Sequence, residues 1–203
     1  MESRRREGKR MKIVCIVGSP RGTKGATAAL AGLVLSGAQS AGTTAEMIAL
    51  KGGEVKPCRA CDTCHAKGIC PQKDKFNEIK DKVMEADGLI LATPNYIFHV
   101  SAQLKAFIDR CQAFWARKYL LHQPVAPPGA GRKGVFLAVG GSRGAKNFDG
   151  ALLTMKYFFD ALDRTFDRAL LYRGVDGKGE ILRHPAAMAE AYELGKRIVG
   201  ESS

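Results

Sequence analysis

Four cysteines fall within a thirteen-residue stretch of the chain, and Pro71 follows the last of them. Their spacing is C-x2-C-x2-C-x5-C, formed by Cys58, Cys61, Cys64 and Cys70. The ferredoxin run C-x2-C-x2-C-x3-C-P uses closely spaced thiolates to wrap a compact 4Fe-4S cluster. Here the last interval is two residues longer and contains Gly68, which helps the loop to turn back. The spacing therefore favours a 4Fe-4S cluster.

Zinc is the main alternative, because four thiolates satisfy its tetrahedral preference. Structural zinc sites usually pair two C-x2-C units across a longer gap, so three cysteines in seven residues fit a cluster better. Disulfides are the expectation for secreted chains, whereas adjacent C-x2-C units in a cytoplasmic protein favour metal or redox roles. Cys15 and Cys111 lie in apolar patterns and are interpreted as small core side chains.

A second group of polar residues follows an apolar run near the start of the chain. The sequence from Lys12 to Thr27 reads KIVCIVGSPRGTKGAT, an unbroken apolar segment rich in β-branched residues and then a polar loop that leads into a helical pattern. The loop offers hydroxyls, the Arg21 guanidinium and a helix N-terminus, which together favour an anion. It matches neither G-x-G-x-x-G nor G-x-x-x-x-G-K-[ST]. The interpretation is a phosphate loop, and the alternative is an ordinary turn between a strand and a helix.

Two further loops also follow buried strands. Thr93 to Tyr96 comes after GLILA, and Gly140 to Gly144 comes after Val135 to Val139. Ligands of open α/β sheets bind outside the carboxyl ends of the strands, where the strand order reverses. The three loops are therefore predicted to converge on one ligand.

The elements that must position these loops alternate between strand and helix. Apolar runs predict strands at 13–17, 44–50, 88–92, 135–139 and 169–172, and helical spacing predicts helices at 26–41, 100–115 and 185–199. Two more helices carry the apolar faces Phe76–Met84 and Phe148–Leu162, the first with Asp74 as its N-cap. A cysteine-rich loop occupies 54–72, and the proline-containing stretch 123–133 is predicted to be a surface loop. Five β-α alternations indicate a parallel sheet with right-handed crossovers.

Composition limits the class of protein. With 203 residues, 45% hydrophobic and 26% charged, the chain is expected to form one domain over 11–203. Residues 1–10 carry five basic and two acidic side chains and are predicted to be a flexible basic arm. Without a signal pattern or a run of about 20 apolar residues, the protein is expected to be cytoplasmic and not membrane-bound. The net charge of +12 suits phosphorylated cofactors or an acidic protein, and no nucleic-acid motif accompanies it.

Four motifs in this order carry a resemblance to a known family. They are G-S-P-R at 18–21, T-P-N-Y at 93–96, S-A-Q-L-K-A-F-I-D-R at 101–110 and G-G-S-R-G at 140–144. Over residues 12 to about 199 the chain resembles the flavodoxin-like NAD(P)H-dependent FMN reductases, and the cysteine run makes it most similar to their iron-sulfur flavoprotein branch. The resemblance implies a doubly wound five-stranded parallel sheet of order 2-1-3-4-5 with helices on both faces. It also implies FMN and a homodimer or homotetramer.

The resemblance also implies site residues. The FMN phosphate would be bound by the first loop and the isoalloxazine ring by the second and third; these residues are Ser19, Arg21, Gly22, Thr23, Thr27, Pro94, Asn95, Tyr96, Ile97, Phe98, Gly141 and Ser142. The chain departs from the family in three places. The first loop is one residue longer, Ala26 replaces a frequent Asn, and bulky Phe98 and His99 replace a frequent Gly-Ser pair. No catalytic side chain is expected, because the chemistry takes place on the flavin.

The predicted function is an FMN-dependent oxidoreductase that passes electrons between FMN and a 4Fe-4S cluster. A ferredoxin-like carrier is the favoured partner, since basic residues surround the cysteines at Lys51, Lys56, Arg59, Lys67, Lys73 and Lys75; NAD(P)H is the secondary donor. One alternative is an NAD(P)H-dependent FMN or quinone reductase without a cluster. The other is a zinc-stabilised, nucleotide-binding interaction module that does not act as an enzyme.

Overall fold

A computed structural model of the chain describes residues 10–127, 129–177 and 179–200. Residues 1–9 of the predicted basic arm lie outside the described residues. Five parallel strands form one sheet of order 2-1-3-4-5, as predicted. The strands are β1 (Lys12–Val17), β2 (Thr44–Ala49), β3 (Gly88–Pro94), β4 (Lys133–Gly140) and β5 (Thr165–Arg173).

The three central strands are buried on both faces. β1, β3 and β4 are apolar and almost entirely buried, which is typical of strands covered by helices above and below. Because successive side chains point to opposite faces, Val14 and Ile16 pack in one core layer and Ile13, Cys15 and Val17 pack in the other. The sheet therefore separates two hydrophobic cores.

Seven helices flank the sheet within the described residues. They are α1 (Ala26–Ser40), α2 (Thr63–Lys67), α3 (Lys75–Glu85), α4 (Ala102–Arg110), α5 (Gln112–Trp115), α6 (Asp149–Ala161) and α7 (Pro185–Gly200). The layer with α1 and α7 covers one face, and the layer with α3, α4 and α6 covers the other. None of the helices in the described ranges combines the length and hydropathy that a membrane crossing requires.

Most element ends differ from the sequence prediction by one or two residues, and two differences are larger. β5 begins at Thr165 rather than Ala169, because the outer half of this edge strand carries Asp167 and Arg168 and does not have an apolar pattern. The prediction of a single helix over 100–115 is wrong. This segment is divided into α4 and α5, and a π-helical turn continues α5 over Ala116–Leu120.

Two of the six cysteines are core side chains, as predicted. Cys15 in β1 is fully buried and Cys111 between α4 and α5 is 3% exposed. Burial raises the pKa of both thiols, because the charged thiolate is disfavoured away from water. Both thiols are therefore expected to be chemically inert.

Helices α1 and α7 approach each other closely through glycine. A Cβ added at Gly37 would lie 2.0 Å from the backbone oxygen of Tyr192, and one at Gly195 would lie 2.0 Å from the backbone oxygen of Val34. No side chain fits at that distance. The two glycines therefore set the spacing of the layer that covers this face of the sheet.

Replacing Gly37 with Ala should destabilise the protein, because the new methyl group forces α1 and α7 apart. Overpacking of this kind costs about 1–3 kcal/mol, measurable as a lower free energy of unfolding in urea. Gly32→Ala is the matched control, since its Cβ would meet nothing closer than the Met47 methyl carbon at 3.9 Å. That variant should keep or gain stability, by up to about 1 kcal/mol from helix propensity. Equal effects of the two substitutions would contradict the close contact between the helices.

Candidate functional site

A cavity opens at the carboxyl edge of the sheet, where the predicted loops converge. Seven of the twelve predicted cofactor-binding residues line it: Ser19, Arg21, Thr27, Pro94, Asn95, Tyr96 and Gly141. Gly25, Val175 and Asp176 also line the cavity and were not predicted. The last two follow β5, whose carboxyl end lies at the same edge, so the parallel topology could have indicated them.

The start of α1 forms one wall of this cavity. Gly25 is the N-cap of α1 and, among the described residues, no side chain caps the helix there. The N–H groups of the first turn of a helix have no partner within the helix, and they attract anions together with the helix dipole. Ser19 and Thr27 are polar but buried, at 4% and 2% exposure. This wall therefore presents hydrogen-bond donors to a negatively charged group.

Close packing holds the first loop against the helix start. A Cβ at Gly25 would come within 3.1 Å of the Ser19 hydroxyl oxygen. The backbone N–H of Arg21 donates to that same hydroxyl oxygen over 3.2 Å, and Arg21 Nη1 donates to the backbone oxygen of Asp176 over 3.4 Å. Gly22 and Thr23 belong to a short 3-10 turn and are not among the described residues that line the cavity. Their role as phosphate ligands stays a prediction.

The second loop places its predicted residues in two different environments. Pro94, Asn95 and Tyr96 line the cavity, whereas Ile97 and Phe98 form the tip of a tight turn, with φ of 48° and 59°. Ile97 is 94% exposed. The backbone groups of Tyr96 and His99 bond to each other across the turn at 2.9 and 3.0 Å. A β-branched residue at positive φ is strained by roughly 1–3 kcal/mol.

Asn95, which lines this cavity, has a buried side-chain oxygen without a partner in the described part of the chain. Asn95 donates from Nδ2 to the backbone and side-chain oxygens of Asn147, each over 2.8 Å. Its own Oδ1 is buried and accepts no hydrogen bond from the described residues. An unmet buried acceptor costs about 1–3 kcal/mol. The atom is therefore suited to accept a hydrogen bond from a bound ligand.

The third loop contributes Gly141 to the cavity but not Ser142. The Ser142 hydroxyl instead accepts a hydrogen bond from the backbone N–H of Gly144 over 3.3 Å. A Cβ at Gly141 would lie 3.1 Å from the Asp176 side chain. The absence of a side chain at Gly141 therefore lets Asp176 approach the backbone of this wall closely. Ser142 as a flavin contact stays a prediction.

The four predicted metal ligands converge on a second cavity of about 180 Å³. Its walls also include Arg59, Asp62, His65, Asp109 and Arg110. Cys58 and Cys61 are exposed, and Cys64 and Cys70 are half-buried. Within the described ranges, no three His, Cys, Asp or Glu side chains are arranged as a site for one metal ion. The structure therefore brings the thiols to one cavity but not to the geometry of a closed single-ion site.

The thiols of this cavity have different surroundings. The backbone N–H and the hydroxyl of Thr63 lower the pKa of the exposed Cys61. Burial and the neighbouring thiols raise the pKa of Cys64. The Cys58 sulfur lies 3.4 Å from the backbone nitrogen of Ala60, and Arg110 donates from Nε to the Cys70 sulfur over 3.0 Å.

Arg110 also anchors both ends of the cysteine loop. Nη1 donates to the backbone oxygen of Lys56 over 3.0 Å and to the Asp74 carboxylate over 2.8 Å, and Nη2 donates to the backbone oxygen of Gln72 over 3.0 Å. Asp74 also caps α3, as predicted, by accepting from the Phe76 N–H. Burial opposes the charge on Asp74, but the hydrogen bonds from Arg110, Lys56 and Phe76 lower its pKa.

Arg110 was not predicted as a site residue and lies within the S-A-Q-L-K-A-F-I-D-R motif. It follows Phe107 by three residues, so a charged residue occupies the buried stripe of the predicted helix. That position on an apolar face was the signal that could have identified it.

Helix α4 connects the two cavities. At its N-terminus the Ser101 hydroxyl donates to the backbone oxygen of Gly18 in the first loop and accepts from the N–H of Leu104. A Cβ at Gly18 would lie 2.5 Å from the Leu104 Cβ, so only glycine permits this contact. At the other end of α4, about 13 Å away at 1.5 Å per residue, Arg110 contacts Cys70.

A doubly wound parallel sheet with a donor-rich cavity at its carboxyl edge defines a flavodoxin-like nucleotide-binding fold. The family model for NADPH-dependent FMN reductase matches residues 11–164, and the chain belongs to that family. Membership of this family supports FMN as the cofactor. This is the assignment that the sequence motifs indicated.

Individual relatives agree with this family. The chain is 43% identical over 100 residues to an iron-sulfur flavoprotein of Methanocaldococcus jannaschii, a match covering 49% of the chain and 51% of that protein. It is 31% identical over 192 residues, 92% of the chain and 98% of the other, to a Bacillus subtilis protein whose name proposes an NAD(P)H-dependent FMN-containing oxidoreductase. An FMN-dependent NADH-azoreductase of Bacillus anthracis, solved with FMN, has the same fold at a TM-score of 0.68 and 16% identity, covering 93% and 99% of the two chains.

Several of the curated relatives carry the name iron-sulfur flavoprotein, which agrees with the predicted branch of the family. The matched stretches span about half the length of the first two, 51% and 50%. Identity with these relatives therefore applies to part of each protein.

Proposed function

We propose that this protein is an FMN-dependent oxidoreductase that exchanges electrons between FMN at the sheet edge and a 4Fe-4S cluster in the cysteine cavity. The observation that carries the proposal is the convergence of all four cysteines on one cavity, at the end of the helix whose start supports the first loop. Flavin provides two-electron and one-electron chemistry, and the protein binds, orients and tunes it.

The sheet-edge cavity suits FMN. Its phosphate would be bound by the start of α1 and by Ser19, Arg21 and Thr27, where donors are buried or close together. The ring would lie against Pro94, Asn95, Tyr96 and Gly141. The unpartnered Oδ1 of Asn95 would accept a hydrogen bond from the ligand.

The cysteine cavity suits a cluster better than zinc. Zinc needs its four sulfurs within about 2.3 Å of one point, and structural zinc sites usually pair two C-x2-C units across a longer gap, whereas three of these cysteines fall in seven residues. A cluster spreads the same four ligands around a larger inorganic core, and a cavity of about 180 Å³ between the thiols leaves room for it. The thiolates of Cys58, Cys61, Cys64 and Cys70 would each bind one iron, and the cluster would carry single electrons.

A small acidic carrier of the ferredoxin type is the proposed partner. The six basic residues named around the cysteines, here called the basic rim, are all exposed: Lys51, Lys56, Arg59, Lys67, Lys73 and Lys75. A concentrated positive charge steers acidic proteins towards it. A cluster beside a flavin is useful when electrons arrive or leave singly, whereas hydride from NAD(P)H reduces FMN directly.

The proposal includes a cytoplasmic homodimer or homotetramer. Exposed apolar side chains support self-association, since Ile97, Phe98, Leu153 and Tyr157 are each more than half exposed. The bond between His99 Nε2 and the Thr154 hydroxyl, 3.0 Å long, holds the tip of the second loop beside α6. These side chains therefore belong to neighbouring parts of one surface.

A second candidate is an NAD(P)H-dependent FMN or quinone reductase whose cysteines hold no cluster. The Bacillus subtilis relative favours it, because that match spans 98% of the relative. Visible spectra of anaerobically purified protein distinguish the candidates: flavin with broad cluster absorbance supports the first, and flavin alone supports the second. A zinc-stabilised interaction module, with neither absorbance, is disfavoured by membership of a reductase family.

Replacing Arg21 with Ala should raise the FMN dissociation constant about tenfold or more. A hydrogen bond to a charged group contributes about 1.5–3 kcal/mol, and each 1.4 kcal/mol corresponds to about tenfold in affinity. Flavin fluorescence titration of the apoprotein measures the change. Lys24→Ala is the control, because it removes the same charge from an exposed residue outside the cavity lining. An unchanged FMN dissociation constant for Arg21→Ala would mean that the phosphate binds elsewhere.

Anaerobic reconstitution should load about four iron and four sulfide per chain, as one 4Fe-4S cluster requires. Serine in place of any one of the four loop cysteines should lower this content. Cys15→Ser is the control, since this thiol lies in the core layer on the opposite face of the sheet from Cys70 and should leave the content unchanged. Iron and sulfide far below four per chain in the unaltered protein would exclude the cluster.

Reduction of the protein by ferredoxin should slow steeply as salt rises from 0.1 M to 1 M, because the Debye length falls from about 10 Å to about 3 Å. The variant Lys56→Glu with Arg59→Glu should lower the rate at low salt and leave bound FMN unchanged. Arg183→Glu with Lys196→Glu makes the same charge change outside the basic rim, and its rate should stay near that of the unaltered protein. Fast reduction by NAD(P)H, with slow and salt-independent reduction by ferredoxin, would favour the cluster-free reductase.

A further inference from the structure

The four cysteine sulfurs are not equivalent, because Arg110 contacts one of them. Its guanidinium forms the inner wall of the cysteine cavity, the residue is 1% exposed, and Nε donates to the Cys70 sulfur over 3.0 Å. The Cys58 and Cys61 sulfurs contact neutral groups within the loop, the backbone nitrogen of Ala60 and the hydroxyl of Thr63. Arg110 is thus the charged donor to a loop sulfur that arrives from another element of the fold.

We propose that Arg110 is a positioning residue for Cys70, which fixes this sulfur as an iron ligand and raises the reduction potential of the cluster. The inference rests on the proposed function, since it requires a cluster in this cavity. Hydrogen bonds to ligand sulfurs and nearby positive charge stabilise the more negative, reduced state of a cluster. Arg110 provides both through one nitrogen.

The other contacts of Arg110 fix the position of that nitrogen. The two Nη atoms bond to Lys56, Gln72 and Asp74, which lie on both sides of the cysteine run, and the guanidinium carbon lies 4.6 Å from the centre of the Phe76 ring. A planar guanidinium held at several points cannot turn Nε away from the sulfur. Lysine has a single nitrogen and cannot reproduce this fork of donors.

Stability alone does not explain a buried ion pair at this place. The side chains of Arg110 and Asp74 are 0% and 7% exposed, and replacing such a pair with apolar residues of similar volume is often neutral or stabilising. An apolar pair would lack the donor to Cys70. Asp74 partly neutralises Arg110, so the two charges should act on the cluster in opposite directions, with little screening by salt.

The test compares cluster midpoint potentials of the reconstituted protein with those of three variants. Dithionite supplies the electrons, one per cluster, and electron paramagnetic resonance follows the reduction. Arg110→Lys should lower the midpoint by about 59 mV, a tenfold shift of a one-electron equilibrium. Asp74→Asn should raise the midpoint, and asparagine still caps α3. Arg117→Lys is the control, because Arg117 packs against Gly68 of the same loop and should leave the midpoint unchanged.

Shifts of opposite sign support the proposal, since a loosened loop would not raise the potential in one variant and lower it in the other. The proposal is overturned, while the cluster stays established, if Arg110→Lys and Asp74→Asn both keep the midpoint of the unaltered protein or both shift it in the same direction. If Arg110→Lys folds by circular dichroism but holds no cluster, the Asp74→Asn variant decides the question. A raised midpoint supports the proposal, and an unchanged or lowered midpoint overturns it. Unaltered protein that takes up no iron overturns the cluster itself, and the iron assay separates this failure from the others.

Discussion

The ends of the five parallel strands determine where the loops that line the sheet-edge cavity lie. Because β1, β3 and β4 are covered on both faces, their side chains are apolar and the core has no place for the polar groups of the connecting segments. These groups gather at the carboxyl edge of the sheet, where the loops after β1, β3, β4 and β5 surround one cavity. The donors at the start of α1, the Asn95 amide and Gly141 meet there as a consequence of the topology.

The cysteine loop depends on a different kind of interaction. Most of its side chains are exposed, and α2 is a helix of five residues, so apolar burial contributes little to its order. The buried Arg110–Asp74 pair orders the loop instead, because it forms hydrogen bonds with the backbone on both sides of the cysteines. The desolvation of the two charges is offset by the number of hydrogen bonds they make. Helix α4 connects this polar cluster to the first loop through Ser101, so the cluster and the sheet-edge cavity share one rigid support.

The sequence predicted the central sheet well and missed the outer half of β5 and the break between α4 and α5. The central strands and the cap at Asp74 were predicted from local residues, and the four motifs indicated the strand order, the family and FMN. The outer half of β5 was missed because an edge strand tolerates charged residues such as Asp167. The break between α4 and α5 was missed because the apolar spacing continues through Cys111. Of the predicted cofactor ligands, Ile97 and Phe98 lie at an exposed turn with positive φ, which their side chains did not indicate.

The sequence by itself determined the central strands, the parallel order of the strands, the family and the set of four cysteines, because each depends on neighbouring residues or on motif order. The tertiary structure alone decided which distant groups meet. Arg110 reaches Cys70 across 40 residues, Asn95 reaches Asn147 across 52, and Arg21 reaches Asp176 across 155. No local pattern specifies these pairs, since each depends on how a helix or loop packs on the finished sheet. The site is therefore assembled by the packing of the helices and loops, from residues whose types the sequence supplies.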